Sequence, residues 1–228
     1  MSDNDITNAI PLKGLRGMIA SNMRRSLDEA AQLTHHAECE IEALLNFKEA
    51  LAGSGTKASI EDLLADCVVR TLVRHPGLNG RIDDNEIRHY RNVHIGFAIA
   101  LPGNKLIAPV VFDADEKSLM ERAEARKNML ERARNGDLSV SEMTGGTFTL
   151  SNLGRSRVRF FTPIINLPQL AILGIGETYT RPVENSAGQW VSRRFMGLSL
   201  TFDHRAVDGG PAAEFLSDLC EEIESAGC

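Results

Sequence analysis

The succession of hydrophobic periods along this chain limits its fold more than any other feature. Leu15, Met18, Ile19, Met23 and Leu27 follow helical spacing. Residues 34–41 then alternate as a strand does. Helical patterns return over 43–52, closed by Gly53-Ser54-Gly55. They return again behind Ser59, a candidate cap for a stripe of Ile60, Leu63, Leu64, Cys67, Val68 and Leu72 that stops at His75-Pro76-Gly77. Strand signals follow at 87–90 (weak), 93–101 and 106–112, the last carrying Pro109 and so expected to be irregular or at an edge. After a polar helix over 117–135, strands are expected at 147–151, 170–176 and 196–203, with 189–193 as a partner for the last. A closing helix at Pro211 buries Phe215, Leu216, Leu219 and Ile223.

That order has no regular β-α-β alternation. It predicts an α+β fold, a two-layer sandwich of a mixed sheet with helices. It also gives nucleotide-binding folds no support: no GxGxxG follows a strand, no GxxxxGK[ST] is present, and Gly145-Gly146 precedes a strand rather than a helix. The 228 residues fit one domain, and 43% hydrophobic residues are enough for a core. Lys and Arg number 25 against 31 Asp and Glu, a net charge of -6, which argues against a nucleic-acid partner. No apolar run approaches the roughly 20 residues of a membrane span. The polar stretch 1–8 lacks the features of a signal peptide, so the expected location is the cytoplasm. Cys39, Cys67, Cys220 and Cys228 show no metal-site or CxxC spacing and read as free thiols, Cys228 exposed at the chain end. His35 and His36 are adjacent in a strand, point to opposite faces and cannot easily share a metal; no metal site is expected.

Two segments carry candidate chemistry. Phe202-Asp203-His204-Arg205-Ala206-Val207-Asp208-Gly209-Gly210 places a charged cluster directly behind an expected buried strand. A histidine held at a strand end suits general-base work; the plainer reading is a loop histidine beside a salt bridge. Thr147-Phe148-Thr149-Leu150-Ser151-Asn152-Leu153-Gly154 ends a strand in two short hydrogen-bonding side chains. These can donate to a developing oxyanion, or simply satisfy backbone groups at a strand-to-turn junction.

Together with Gly96 and Asp113-Ala114-Asp115, these segments resemble the catalytic domain of the 2-oxo acid dehydrogenase acyltransferases, the E2 components. Asp203-His204-Arg205 with Asp208-Gly209 matches the family's DHRxxDG signature, and 147–154 its "TFTISNLG"-like strand. Thr162-Pro163-Ile164-Ile165-Asn166, Ala171-Ile172-Leu173-Gly174 and His75-Pro76 with Leu78-Asn79 match three more blocks in order. The resemblance implies a chloramphenicol acetyltransferase-like fold: a flexible lead-in at 1–11, one acyltransferase domain over 12–228, and no lipoyl or subunit-binding domain. It implies acyl transfer between coenzyme A and a dihydrolipoyl carrier, with His204 as the base, Ser151 as oxyanion donor and Asn152 as a weaker member of the site. Asp208 is implied to be chiefly structural, in an ion pair with Arg16. The implied assembly is a homotrimer, extending in some relatives to a cage. The implied partners are a lipoyl-carrying protein, which supplies the lipoyl group from another chain, and 2-oxo acid dehydrogenase components.

Three departures from the family pattern stand out. Arg155-Ser156-Arg157-Val158-Arg159 replaces a small, glycine-containing turn; the arginines are candidates for CoA phosphates, or a solvated charge run. Leu167 stands in place of a proline, and Ala31-Gln32 in place of Pro-His. Two other functions stay open at this point: a CoA-dependent transferase with a different small acceptor, and a non-catalytic core or scaffold subunit.

Overall fold

The computed structural model describes residues 7–101 and 105–227. Residues 1–6 of the expected lead-in, and Cys228, lie outside that range. The elements are α1 (Gly14–Glu29), β1 (Gln32–Glu40), α2 (Glu42–Gly53), α3 (Ile60–Arg74), β2 (Gly80–Asp83), β3 (Glu86–His89), β4 (Ile95–Leu101), β5 (Lys105–Ile107), β6 (Val110–Val111), α4 (Leu119–Asn135), β7 (Phe148–Asn152), β8 (Ala171–Glu184), β9 (Trp190–Asp203) and α5 (Gly209–Glu224). The main sheet runs β1-β9-β8-β7-β4-β5, with β6 also on β4. It is mixed: β4, β7 and β8 pair in parallel, and β8, β9 and β1 antiparallel.

The period-2 pattern decides which face is which. Leu198, Leu200 and Phe202 of β9, Leu173 and Ile175 of β8, and Phe148 and Leu150 of β7 form one buried cluster with Leu44, Leu63, Cys67, Met129 and Phe215 from α2–α5. Each fully buried side chain of this size contributes about 1.5–3 kcal/mol. Helix α3 starts behind Ser59, as the sequence predicts. Ser59 makes a reciprocal capping box with Asp62, Ser118 makes another with Glu121, and Gly136 closes α4 in the left-handed conformation.

The opposite face is crossed by the extended segment 158–169 and the end of α1, where Ser26 Oγ donates to the Ile165 carbonyl at 2.6 Å. The crossing is possible because the strands beneath carry Gly174, Gly176 and Gly197. A Cβ at Gly176 or Gly197 would collide with the Arg159 carbonyl, and one at Gly174 would sit 2.7 Å from Phe161. Gly197→Ala is therefore expected to cost at least about 2 kcal/mol, as overpacking does, and to lower the thermal midpoint by several degrees. An unchanged melting curve would show that the crossing segment gives way freely.

Two parts of the strand pattern differ from expectation. Residues 190–193 are not a partner for 196–203 but the start of the same long strand, β9; they pair with the far end of β8 through Val183↔Val191 and Glu184↔Trp190. An extra residue in β8 between Ile175 and Thr178 breaks that strand's period, and β8 runs on to Glu184, past the end expected at 176. β2 has no sequence signal beyond its turn. Asp84 and Asn85 both take positive φ, as a two-residue hairpin requires, and so join β2 to β3. Pro109 interrupts 106–112 as expected, splitting β5 from β6.

Candidate active site

His204 follows β9 directly, and its position is set by the residue before it. The Asp203 carboxylate is fully buried. It accepts from the Ala31 N–H at 3.2 Å, the Arg205 N–H and Nε at 3.0 Å, and Arg205 Nη2 at 2.6 Å. The Asp203 N–H donates to Leu170, and the His204 N–H to the Ala31 carbonyl, at 2.9 Å each. The backbone on both sides of the imidazole is thus fastened to the start of β1 and to β8, while the ring stays 44% exposed. Removing the acceptor with Asp203→Ala strands the Ala31 donor and strips Arg205 of its partner, an expected loss of about 2–3 kcal/mol. A urea midpoint equal to that of the parent chain would contradict it.

The Asp208 carboxylate, 85% exposed, stands 3.7 Å from His204 Nδ1, leaving Nε2 as the ring nitrogen for a substrate proton. That length is too long for a hydrogen bond. Among the described residues the Asp208 carboxylate faces the His204 ring. Arg16 lies in the first turn of α1, exposed, and α1 packs against β5 at one edge of the sheet, whereas Asp208 lies beyond the end of β9.

Ser151 is the penultimate residue of β7, half-buried, beside Ala98 of β4 and Gly174 of β8. In register it shares a row with Ser199 of β9, five residues before His204. At about 3.4 Å per residue and about 4.8 Å per strand, Ser151 and His204 of one chain are about 20 Å apart. The structure does not bring the two together within one copy. Asn152 follows Ser151 and bonds to Gly154 and Glu61.

The three arginines do not line one surface as an extended segment would. A turn closes at Ser156 N–H to Leu153 O, 2.8 Å, leaving Arg155 and Arg157 exposed. Arg159 is drawn away to Glu177 at 3.6 Å and stacks over Tyr179 at 3.7 Å. His35 and His36 face opposite ways: His35 lies edge-on to Phe202, and His36 Nδ1 is 2.9 Å from Ser199 Oγ. Cys39, Cys67 and Cys220 are free thiols, and burial pushes the Cys67 thiol up to about 11. Among the described residues no three His, Cys, Asp or Glu side chains converge as a metal cluster.

Sequence reasoning missed one cluster near Ser151. Asp62 is buried, which opposes its ionisation, yet hydrogen bonds from Arg126 and Ser59 outweigh that and hold its carboxyl below the ordinary value. The signal available was an arginine, Arg126, on the same helical stripe as Ala123, Met129 and Ala133, where a charge needs a buried partner.

The mixed sheet, the crossing segment and a histidine at the end of β9 define the chloramphenicol acetyltransferase type of fold. A chloramphenicol acetyltransferase superimposes with a TM-score of 0.56 at 16% identity, covering 95% of this chain and 97% of its own. The chain belongs to the 2-oxoacid dehydrogenase acyltransferase (catalytic domain) family, whose model matches residues 4–227. It is 39% identical over 220 residues to the dihydrolipoyllysine-residue acetyltransferase component of the acetoin cleaving system of Bacillus subtilis, covering 94% of this chain and 55% of that protein. The chain thus spans about half the length of the curated relatives it matches. A crystal structure of Azotobacter vinelandii dihydrolipoamide acetyltransferase, studied for a serine, a histidine and an asparagine in its catalytic mechanism, matches at 30% identity and a TM-score of 0.89, covering 98% of this chain and 95% of that one. The cubic core of a pyruvate dehydrogenase multienzyme complex matches with the same values.

Proposed function

We propose that the chain transfers an acyl group between coenzyme A and a dihydrolipoyl group carried by another protein, as part of a 2-oxo acid dehydrogenase-type system. The observation that carries this reading is His204, fixed through its own backbone and the buried Asp203 while its ring is open to substrate. His204 Nε2 takes the proton of the incoming thiol, which is mostly protonated at neutral pH because a free thiol has a pKa near about 8.5. The thiolate forms its bond to the thioester carbonyl carbon. Ser151 Oγ donates to the resulting oxyanion, and on collapse the C–S bond to the departing thiol breaks and that sulfur takes the proton back from His204. No acyl-enzyme forms. Asp208 steadies the imidazolium that exists between the two proton transfers. Arg155 and Arg157 supply positive charge for the CoA phosphates.

The separation of Ser151 from His204 supports a site shared between copies, His204 from one and Ser151 from its neighbour, in a trimer that builds a larger core. The A. vinelandii relative studied for its serine, histidine and asparagine, and the cubic core of a pyruvate dehydrogenase complex, are consistent with that arrangement. The test is to follow acyl transfer from acetyl-, succinyl- and branched-chain acyl-CoA to dihydrolipoamide, alongside small amines, alcohols and other thiols. Turnover with dihydrolipoamide in clear excess over the other acceptors is expected. Turnover confined to an amine or alcohol, or none with any acyl-CoA, would overturn the assignment.

A further inference from the structure

The strand end that carries Ser151 is tied down by groups outside the motifs that mark the family. Asn152 is held at both ends of its amide: Oδ1 accepts from the Gly154 N–H at 2.8 Å, and Nδ2 donates to Glu61 Oε1 at 3.3 Å. Those two partners together fix which way the amide points. Glu61, in the first turn of α3, gives its other oxygen to Arg126 Nη1 of α4 at 2.7 Å.

Arg126 has little freedom of its own. Its side chain is 10% exposed, and it donates to Asp62 Oδ1 at 2.6 Å and to Ser59 Oγ at 2.9 Å. Its guanidinium lies 5.7 Å from the centre of the Phe97 ring, and Phe97 pairs in register with Leu150, next to the Ala98–Ser151 pair. A rigid cation on α4 therefore fixes a carboxylate on α3, and that carboxylate fixes the last side chain of β7.

We infer that Glu61, clamped by Arg126, is a positioning residue for the oxyanion side of the reaction: it holds Asn152, and through Asn152 the backbone that aims the Ser151 hydroxyl. The inference rests on the reading of Ser151 given above. Two physical arguments carry it. A strand end is where pairing frays, and an error of about 1 Å at a catalytic donor can cost on the order of 100-fold. A bare carboxylate near a developing oxyanion would also oppose it, and Arg126 neutralises Glu61 where it stands.

The experiment compares Glu61→Ala, Glu61→Gln, Ser151→Ala and the Ser151→Ala/Glu61→Ala double variant in the intact protein, reading kcat, KM for CoA and the thermal midpoint. Glu61→Ala leaves Arg126 its Asp62 and Ser59 partners, so the fold is expected to hold. It should lower kcat about 10-fold with KM and melting unchanged. Glu61→Gln has one acceptor oxygen for two donors, so its NH2 must face Arg126 or Asn152, and its rate should fall between those of the parent and Glu61→Ala. In the Ser151→Ala background Glu61→Ala should cost nothing more, because the group it aims is gone. A full-rate Glu61→Ala, a loss that adds in full to that of Ser151→Ala, or a loss that follows the melting temperature would each overturn the inference while leaving Ser151 its role. A full-rate Ser151→Ala would remove the oxyanion assignment itself and the inference with it.

Discussion

Replacing His204 with alanine is expected to lower acyl transfer about 1,000-fold and to leave the fold and the assembly intact. The size follows from what a positioned general base contributes, typically about 100- to 10,000-fold. Stability should survive because what anchors position 204 is backbone: its N–H to Ala31 and the neighbouring Asp203 network persist when the ring is removed. The side chain itself is 44% exposed, and the Asp208 carboxylate it leaves behind is already solvated. The measurement is release of free CoA thiol from acyl-CoA in the presence of dihydrolipoamide, with native mass and circular dichroism as controls. A variant that assembles correctly and keeps activity within about 3-fold of the parent would show that the base lies elsewhere, since that falls far short of a general-base effect.

Ser151→Ala should produce the second largest effect, a fall in kcat of about 100-fold with little change in KM, because an oxyanion donor acts on charge that exists only in the transition state. The hydroxyl's removal leaves the β7 ladder to Ala98 and Gly174 unchanged. With about 20 Å between Ser151 and His204 in one chain, the two variants test each other. Co-assembling His204→Ala chains with Ser151→Ala chains should restore a fraction of the activity, since some interfaces then join an intact histidine to an intact serine. Mixed assemblies as inactive as either parent would show that both residues act within one copy.

The parts of this molecule legible in the sequence are those written in local periods. The capping serine Ser59, the apolar stripes of α3 and α5 and the alternating core residues of β9 follow from side-chain spacing alone, and the motif at 203–209 marks the turn that holds His204. What the sequence hides is contact at long range. The Asp203–Ala31 hydrogen bond spans 172 positions and the Arg126–Asp62 pair 64, and neither partner announces the other. The Arg16–Asp208 pairing implied by the family resemblance is a long-range matter of the same kind: it depends on where α1 crosses the sheet, which no local pattern specifies. The start of β9 was misjudged because the polar run Ser192-Arg193-Arg194 interrupts its apolar pattern, and β2 because it has only a hairpin turn to mark it. The site shows the same division, with residue types visible in the sequence and distances visible only in the fold.

The spacing between Ser151 and His204 has a consequence for the safety of the chemistry. Acyl-CoA thioesters are activated metabolites, and a lone histidine open to solvent is a hazard to them. On the shared-site reading, a chain newly made or shed from its neighbours holds a base with no oxyanion donor within reach. It lacks the roughly 100-fold that the donor contributes until it docks. Assembly then acts as the switch that licenses reactivity, and dilution should silence the protein while it is still fully folded.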